Sequence, residues 1–502
     1  MVLKRTLGVA LAFALSTTAL HAADLRIGLQ DDPDVLDPDQ SRTFVGRIVY
    51  ASLCDKLVDI TPDLEIIPQL ATGWDWSDDG LELTMTLRDD ASFHDGTPFN
   101  AAAVVANIDR SQNLPESRRK SEVKSITGVE AVDDFTVKFT LGAPDATLLA
   151  QFADRSGMML SPTATDAAGT DFGLNPICSG PFTFTERVQQ DRIVLTKFDD
   201  YWNADAITID TVTFVPIPDT TVRLANLRSG DLDMLERLAA TDVGSVTNDD
   251  GLQLEQAVSL GYQGITINVA NGAGADNPLG QEAKIRQALS LSVDRAILNQ
   301  VVFEGAFAAG NQPFPPTSPW YNADFPVPER DVDAAKALLA EAGFADGLTL
   351  EVQVTNNPVQ MQVMQVVQAM AAEAGINIEL IAKEFATLLR DQSAGDYTAS
   401  QIGWSGRVDP DGNIHQFATT GGGINDSGYS NPQVDTLLDA ARTATDFDTR
   451  KQSYDAAREI LNADLPIIYL YHVTWIWALD EDIKGFIPYP DGMIRLEGVT
   501  KG

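Results

Sequence analysis

The chain has 502 residues, with 35 Lys and Arg against 72 Asp and Glu, so its formal net charge at pH 7 is −37. A chain this acidic is repelled by nucleic-acid phosphates and by anionic membrane surfaces, which proteins bind through Lys and Arg clusters that this sequence lacks. Its length supports more than one hydrophobic core. We therefore expect a multidomain protein that binds no nucleic acid and does not insert into a membrane.

The first residues have the pattern of a secretory signal peptide. Lys4 and Arg5 precede an apolar stretch at residues 7–15, and small residues favour cleavage after residue 22 or 23. The apolar stretch is shorter than the roughly 20 residues that a membrane-spanning helix needs. Neither cysteine lies at the cleavage site, where a lipid anchor would be attached. We expect removal of residues 1–22 and a monomeric protein that diffuses freely in the periplasm.

Cys54 and Cys178 are the two cysteines of the chain. An even number of cysteines in an exported protein favours one disulfide, because the compartment is oxidising. Two free, buried thiols are the alternative. The Cys-X-X-Cys spacing of many metal sites is missing, so we expect a bridge between residues 54 and 178 and no metal bound by these thiols.

The first half of the chain has the alternating pattern of a β-rich protein. Alternation of apolar residues predicts strands at residues 25–29, 81–87, 135–141, 194–196 and 212–215. An acidic loop with two prolines, Asp31–Pro38, follows the first strand and is expected to lie at a border with another part of the molecule. Two helical segments are predicted around Gly230, at residues 223–227 and 231–236.

Beyond about residue 262, strands alternate with helices, which predicts a largely parallel sheet. One helix is indicated by apolar residues at every fourth position, Ile285, Leu289, Val293, Ile297 and Val301. The further predicted helices and strands lie at residues 334–342, 348–354, 358–374, 376–380, 388–389 and 398–404. Asn431 and Asp448 are the predicted N-caps of the last two helices.

The segment Gly403–Asn413 follows the predicted strand at residues 398–404, and ligands of open α/β sheets bind outside the carboxyl ends of strands. An indole offers flat apolar area, a guanidinium binds carboxylates, and a carboxylate binds an ammonium group. The predicted ligand-binding residues for a small zwitterion or polar chain are Trp404, Ser405, Gly406, Arg407 and Asp409. The alternative is that Arg407 and Asp409 pair with each other while Trp404 fills the core.

The sequence lacks the common motifs of catalysis. There is no His-Glu-x-x-His, no Gly-x-Ser-x-Gly and no phosphate-binding glycine loop. Asp409, Asp411 and Asn413 have the spacing of the first three ligands of a calcium-binding loop. However, Ile414 occupies the position where the turn needs Gly, and Thr420 occupies the position of the bidentate Glu. A glycosidase that uses a pair of carboxylates stays an alternative, because the chain has many acidic residues. We expect no enzyme activity, no cofactor and no metal.

A series of motifs stands in one order along the chain: Ala71–Gly80, Leu87–Phe99, Ser179–Phe182, Asp200–Trp202, Arg228–Asp233, Ile285–Leu289 with Asp294 and Arg295, and Tyr429–Asp435. Over essentially the whole mature chain, this series resembles the dipeptide- and oligopeptide-binding proteins of ABC importers, extracellular solute-binding protein family 5. The resemblance implies an α/β, two-lobed periplasmic binding protein (Venus-flytrap) fold with an extra β-rich domain in the N-terminal lobe.

The resemblance also implies how the domains divide the chain. Domain I of the N-terminal lobe would comprise residues 23–57, 179–261 and 476–502. The inserted β-rich domain II would comprise residues 58–178, and domain III, the C-terminal lobe, residues 262–475. The two lobes are expected to close over a solute by a hinge. Some relatives have cysteines at positions matching 54 and 178, which supports the bridge.

The function implied by the resemblance is capture of short peptides or peptide-like solutes, such as dipeptides, oligopeptides or glutathione. The solute would pass to a membrane permease powered by an ATPase. In dipeptide-binding relatives, the aspartate of the loop matching Gly403–Asp409 takes the peptide ammonium, which implies this role for Asp409. Those relatives hold the carboxylate with an arginine at the start of the helix matching Pro358–Gly375, where this chain has none.

Because that arginine is missing, other polar solutes remain alternatives. Opines, oligosaccharides and nickel chelates are bound within the same family, and a secreted hydrolase that uses paired carboxylates is the alternative from another class. Arg407 could supply the missing cation.

Overall fold

The structure, a computed structural model, describes residues 23–502, so the expected signal peptide at residues 1–22 lies outside the described chain. The strands, in chain order, are β1 (Asp24–Leu29), β2 (Val58–Ile60), β3 (Ile66–Pro68), β4 (Ala71–Trp76), β5 (Glu82–Leu87), β6 (Ile126–Asp133), β7 (Thr136–Leu141), β8 (Phe182–Val188), β9 (Arg192–Lys197), β10 (Thr211–Pro216), β11 (Met234–Leu235), β12 (Leu252–Val258), β13 (Tyr262–Ile267), β14 (Ala308–Ala309), β15 (Leu348–Thr355), β16 (Ile376–Lys383), β17 (Ala399–Trp404), β18 (Ile467–His472), β19 (Thr474–Asp480), β20 (Ile483–Lys484) and β21 (Thr500–Lys501).

The α-helices of the same residues are α1 (Phe44–Leu53), α2 (Ala101–Asn113), α3 (Leu148–Phe152), α4 (Pro162–Ala168), α5 (Thr220–Ser229), α6 (Val243–Thr247), α7 (Pro278–Gln281), α8 (Ala283–Ser292), α9 (Arg295–Phe303), α10 (Val332–Glu341), α11 (Pro358–Glu373), α12 (Phe385–Ala394), α13 (Asp411–Ala418), α14 (Pro432–Thr443) and α15 (Phe447–Asp464). Within the described residues, no helix is both long enough and apolar enough to cross a bilayer.

Two large sheets define two lobes. The N-terminal lobe contains a seven-stranded sheet in the order β12-β19-β11-β1-β10-β9-β8, and the C-terminal lobe contains a six-stranded sheet in the order β14-β18-β13-β17-β15-β16. The chain passes between the lobes twice, from β12 to β13 and from β18 to β19. This is the predicted two-lobed α/β fold. The boundaries proposed for the three domains stay predictions.

A third sheet, β4-β5-β7-β6, is antiparallel and belongs to the N-terminal lobe. Along β5, Leu83 and Met85 are fully buried, and along β7 Val137 and Phe139 are too. This alternation lets one face of the sheet pack against α2 while the other face meets water. Each such side chain contributes roughly 1.5–3 kcal/mol when it leaves water completely.

The six-stranded sheet is mixed, so the prediction of a largely parallel sheet was wrong. Strand β15 runs parallel to β16 and to β17, whereas the pairs β13–β17, β13–β18 and β14–β18 are antiparallel. The parallel strands are the ones that helices α11 and α12 connect, as a crossover requires. Strand β13 begins where the chain enters the C-terminal lobe, and β18 ends where the chain leaves it. Neither strand is joined to its neighbour by a helical crossover, so both can run antiparallel.

The predicted continuous helix at residues 285–301 is broken in two. Asp294 caps α9 by accepting a hydrogen bond from the backbone N–H of Ile297 at 2.9 Å, and the new helix axis leaves Ile297 and Val301 on the surface, 51% and 53% exposed. A side-chain cap of this kind competes with continuation of the helix. Spacing by four residues could not reveal the break.

Two further local predictions were also wrong. Residues 231–236 are not helical, because Met234 and Leu235 form β11 between β1 and β19. The last helix is capped by Asp446, which accepts from the N–H of Thr449 at 2.8 Å, and not by Asp448.

A disulfide joins Cys54 and Cys178, as the sequence predicts, with an Sγ–Sγ distance of 2.06 Å. Cys54 follows the last residue of α1, and Cys178 forms an isolated β-bridge with Leu160. Both cysteines are almost completely buried. The bond therefore fixes α1 to the segment through which the chain leaves the β-rich part.

Candidate functional site

A cavity lies between the two lobes, between the seven-stranded and the six-stranded sheets. It holds about 1150 Å³ of empty space, part of it open to solvent. Its wall on the N-terminal lobe comes from Gln30, Asp31, Arg42, Phe44, Val45 and Arg237, and its wall on the C-terminal lobe comes mainly from β13, α12, β17 and the loops that follow.

Neutral polar groups and aromatic rings make up most of the lining. The glutamines are Gln30, Gln263, Gln360, Gln392 and Gln401, and the aromatic residues are Phe44, Tyr262, Phe385, Trp404 and Phe417. A primary amide has two donors and one acceptor oxygen, so these side chains serve donors and acceptors of a solute equally. The rings give flat apolar area. The lining fits a polar solute that also has apolar parts.

Two polar atoms on the C-terminal wall are buried without a hydrogen-bond partner in the described residues. They are Oγ1 of Thr355 at the end of β15 and Oε1 of Gln392 in α12. Both side chains line the cavity. A buried polar atom left unpaired costs about 1–3 kcal/mol, so a solute that bonds to these atoms removes the cost.

The charged side chains Arg42 and Asp426 of the lining pair with each other across the lobes. Nη2 of Arg42 lies 2.5 Å from Oδ2 of Asp426, and Nη1 of Arg42 lies 2.5 Å from Oγ of Ser393 in α12. Because Arg42 precedes α1 in the N-terminal lobe, these contacts hold the two lobes together at the edge of the cavity.

Asp31 and Arg237 lie on the N-terminal wall of the cavity, just beyond the carboxyl ends of two parallel strands. Asp31 follows β1 and Arg237 follows β11, and these strands pair in parallel. The carboxylate of Asp31 accepts from Nε2 of Gln30 at 3.0 Å. Burial raises the pKa of Asp31 to about 6, although Arg237 opposes this shift. The sequence predicts that the loop beginning at Asp31 lies at a border, but no pattern in it indicates that Arg237 lies in the site.

Trp404 and Ser405, predicted to bind ligand, line the cavity. Trp404 is the last residue of β17, and its Nε1 donates to Oδ1 of Asn413 at 2.9 Å, which fixes the ring. Gly406 is not part of the lining. Its φ is +88°, and a Cβ there would lie 2.3 Å from the backbone carbon of Leu260, so only glycine permits this turn.

Arg407 is buried and reaches across to the N-terminal lobe. Its Nε forms an ion pair with Oδ2 of Asp154, whose other oxygen lies 3.0 Å from Nε of Arg47. The guanidinium also lies over the Trp404 ring, 4.0 Å from the centroid. Burial works to raise the pKa of Asp154, but Arg407 and Arg47 outweigh burial and hold it well below the ordinary range.

Asp409 is half-buried and lies outside the cavity lining. Its carboxylate takes a bidentate pair from Arg450 in α15, with 2.9 Å from Nη1 to Oδ2 and 2.7 Å from Nη2 to Oδ1. Burial works to lower the pKa of Arg450, but Asp409 outweighs it and raises the pKa above its ordinary value. Arg407 and Asp409 are therefore paired with other residues and not with each other. The ammonium contact of Asp409 stays a prediction.

Among residues 23–502, no cluster of three or more His, Cys, Asp or Glu side chains is arranged to hold a metal ion.

Comparison with known proteins identifies the relatives of this chain. Residues 65–425 match the sequence model of the bacterial extracellular solute-binding proteins, family 5 Middle. The chain is 31% identical over 475 residues to the glutathione-binding protein GsiB of Pectobacterium atrosepticum, covering 92% of this chain and 91% of that protein. It is 28% identical to the dipeptide-binding protein of Escherichia coli, covering 98% and 97%.

A solved structure also matches closely. The protein AgaA from A. tumefaciens R10, in complex with agropinic acid, is 26% identical with a TM-score of 0.86, covering 95% of this chain and 99% of that one.

Proposed function

Because this chain belongs to the bacterial extracellular solute-binding proteins, family 5, we propose that it captures short peptides or peptide-like solutes in the periplasm. Dipeptides, oligopeptides and glutathione are the candidates, since relatives named for glutathione and dipeptides align over almost the whole chain. After the lobes close, the protein delivers the solute to the permease and ATPase of an ABC importer. The proposal includes export through the signal peptide at residues 1–22, and a monomer without enzyme activity.

The observation that carries the proposal is the cavity enclosed between the lobes, with amide, hydroxyl, aromatic and charged groups on facing walls. A peptide offers N–H groups, C=O groups, charged ends and apolar side chains, and each finds a matching group in this lining. Trp404 and Ser405 are proposed as direct contacts. Gly406, Arg407 and Asp409 are proposed to set the position of the loop that carries those two residues.

An opine is the second candidate. The support is the likeness to AgaA, which was solved with agropinic acid, together with the missing arginine at the start of α11, where the sequence reads Pro358, Val359 and Gln360. A solute without a carboxylate at that place would need no cation there.

Isothermal titration calorimetry on protein freed of bound solute by unfolding and refolding tests the proposal. The panel contains dipeptides, glutathione, agropinic acid, an oligosaccharide and a nickel–histidine chelate. We expect binding of a peptide or of glutathione. Binding of agropinic acid alone would favour the second candidate, and binding of the sugar or chelate alone would contradict the proposal. Release of products from labelled peptides or glycosides would contradict the absence of enzyme activity.

A further inference from the structure

Asp31 and Arg237 carry opposite charges on one wall of the cavity but do not touch. The side-chain amide of Gln30 lies between them: its Nε2 donates to Oδ2 of Asp31 at 3.0 Å, and its Oε1 lies 3.4 Å from Nη1 of Arg237. Among the ion pairs of residues 23–502, none includes Asp31, whereas Nε of Arg237 forms an ion pair with Oε2 of its neighbour Glu236 at 3.4 Å. One amide group thus spans the gap between the two charges.

Arg237 is held in this position at a conformational cost. Its φ is +53°, in the left-handed region that a residue with a Cβ rarely adopts. Its guanidinium lies over two stacked rings, 4.7 Å from the centroid of Phe44 and 4.8 Å from that of Trp475. A residue with a Cβ keeps this strained conformation only where its surroundings hold it, and such residues cluster at sites that bind ligands.

The separation of Asp31 from Arg237 contrasts with the direct contact between the other two charged residues of the lining. Arg42 and Asp426 make a direct ion pair, so their charges are already compensated. Asp31, by contrast, has a neutral amide as its hydrogen-bond partner and faces the cavity half-buried. Its carboxylate is therefore free to accept an ammonium group. Nη1 and Nε of Arg237 contact Gln30 and Glu236, and Nη2, which makes no hydrogen bond to the described residues, can take a carboxylate.

We propose that Asp31 and Arg237 bind an ammonium and a carboxylate that share one carbon atom, so that the solute carries an α-amino-carboxylate head, as a γ-glutamyl peptide does. This rests on the proposed function and names the part of the solute that the N-terminal wall recognises. In a dipeptide the two charged ends are separated by a further peptide unit, which adds about 3.8 Å between successive Cα atoms. Two charges that one amide group bridges match a solute with both charged groups on one carbon better than a dipeptide.

The rest of the solute extends to the facing wall. Oγ1 of Thr355 and Oε1 of Gln392 have no partner among the described residues and line the cavity. An acceptor oxygen in Gln392 and a hydroxyl in Thr355 match the N–H and C=O groups of a peptide bond.

Calorimetry with four probes tests the inference: glutathione, N-acetyl-glutathione, L-glutamine and the dipeptide Ala-Ala. N-acetylation removes the ammonium charge and leaves the rest of the molecule. We expect wild-type protein to bind glutathione about 30-fold or more tightly than its N-acetyl form, as is typical for loss of one partner of a buried charge pair. Asp31→Asn should weaken glutathione by a similar factor and leave the N-acetyl form unchanged, whereas Arg237→Gln should weaken both.

The exposed residue Asp346 gives a matched control, because Asp346→Asn removes the same charge far from the cavity lining. Equal affinity for glutathione and its N-acetyl form, or an Asp31→Asn variant with unchanged affinity for glutathione, would overturn the inference. If Ala-Ala binds while glutathione and glutamine do not, the inference fails and the proposed function stands. If none of the probes or panel solutes binds, the proposed function fails and the inference with it.

Discussion

Two sets of charged side chains near the cavity, one behind its lining and one on its wall, differ in how they are paired. Behind the lining on the C-terminal side, half-buried Asp409 pairs with Arg450, and buried Arg407 pairs with Asp154. On the N-terminal side, Asp31 and Arg237 are kept apart by Gln30. The carboxylate of Asp409 is already paired with Arg450 and holds its loop in place. Asp31, which is separated from Arg237, remains available to a solute. The pairing state of a charged side chain, and not its residue type, therefore distinguishes a structural charge from one available to a solute.

The largest expected effect is the loss of stability in Asp409→Ala. Arg450 would remain buried without its bidentate partner, and breaking such a pair costs about 3–5 kcal/mol of the free energy of unfolding. Urea denaturation followed by circular dichroism measures it. Asp448→Ala, an exposed acid on the same helix as Arg450, is the control and should leave the midpoint nearly unchanged. A loss below about 1 kcal/mol in Asp409→Ala would show that this pair does not hold the loop.

Asp154→Ala should open the lobes. Asp154 contacts Arg47 in its own lobe and Arg407 in the other, so its removal leaves two buried guanidinium groups facing each other. We expect the closed form to lose about 2–4 kcal/mol relative to the open form. Small-angle X-ray scattering of solute-free protein should show a larger radius of gyration. Asp90→Ala, which breaks the exposed pair with Arg88, should leave the radius as it is.

Solute affinity should depend on pH through Asp31. The pKa of Asp31 is raised to about 6 by burial, so the carboxylate is charged above that pH and neutral below it. The charged groups around it are Arg237, Glu236 and Arg223. Affinity for a solute with an ammonium head should therefore fall by up to about tenfold per pH unit below 6. Calorimetry from pH 7.5 to 4.5 measures it, and a slope that persists in Asp31→Asn would assign it to another group.

The smallest expected effect is that of Asp31→Asn on the stability of solute-free protein. A carboxyl group whose pKa is higher in the folded protein than in the unfolded chain disfavours folding when it is ionised, at pH values above the unfolded value. Replacing it with an amide should therefore raise the melting temperature slightly or leave it unchanged. Thermal unfolding at pH 7.5 checks the sign. A clear drop would place Asp31 with Asp409 among the structural charges.

Local sequence patterns predicted part of the regular elements. Alternation predicted β1, β5 and β7, and the cap at Asn431 is where the sequence places it, because these signals depend on neighbouring residues. The two-residue strand β11 escaped prediction, since it exists only through pairing with β1 and β19. The direction of β13 and β18 also depends on pairing between distant segments.

The same limit applies to the site. Trp404 and Ser405 reach the cavity because they end β17, as the strand-end argument requires. The partners of charged residues could not be read from the chain: Arg450 is 41 positions from Asp409, and Arg237 is 207 positions from Gln30. Without those partners, a carboxylate that anchors a loop and one that faces a solute look alike in sequence.

Native mass spectrometry of protein purified gently from the periplasm tests the central claim most directly, because the closed cavity should retain its solute. The account predicts a small peptide-like mass that leaves on unfolding and whose fragmentation shows a primary amine and a carboxylate on one carbon. A retained sugar, a nickel chelate or a solute without a primary amine would contradict it.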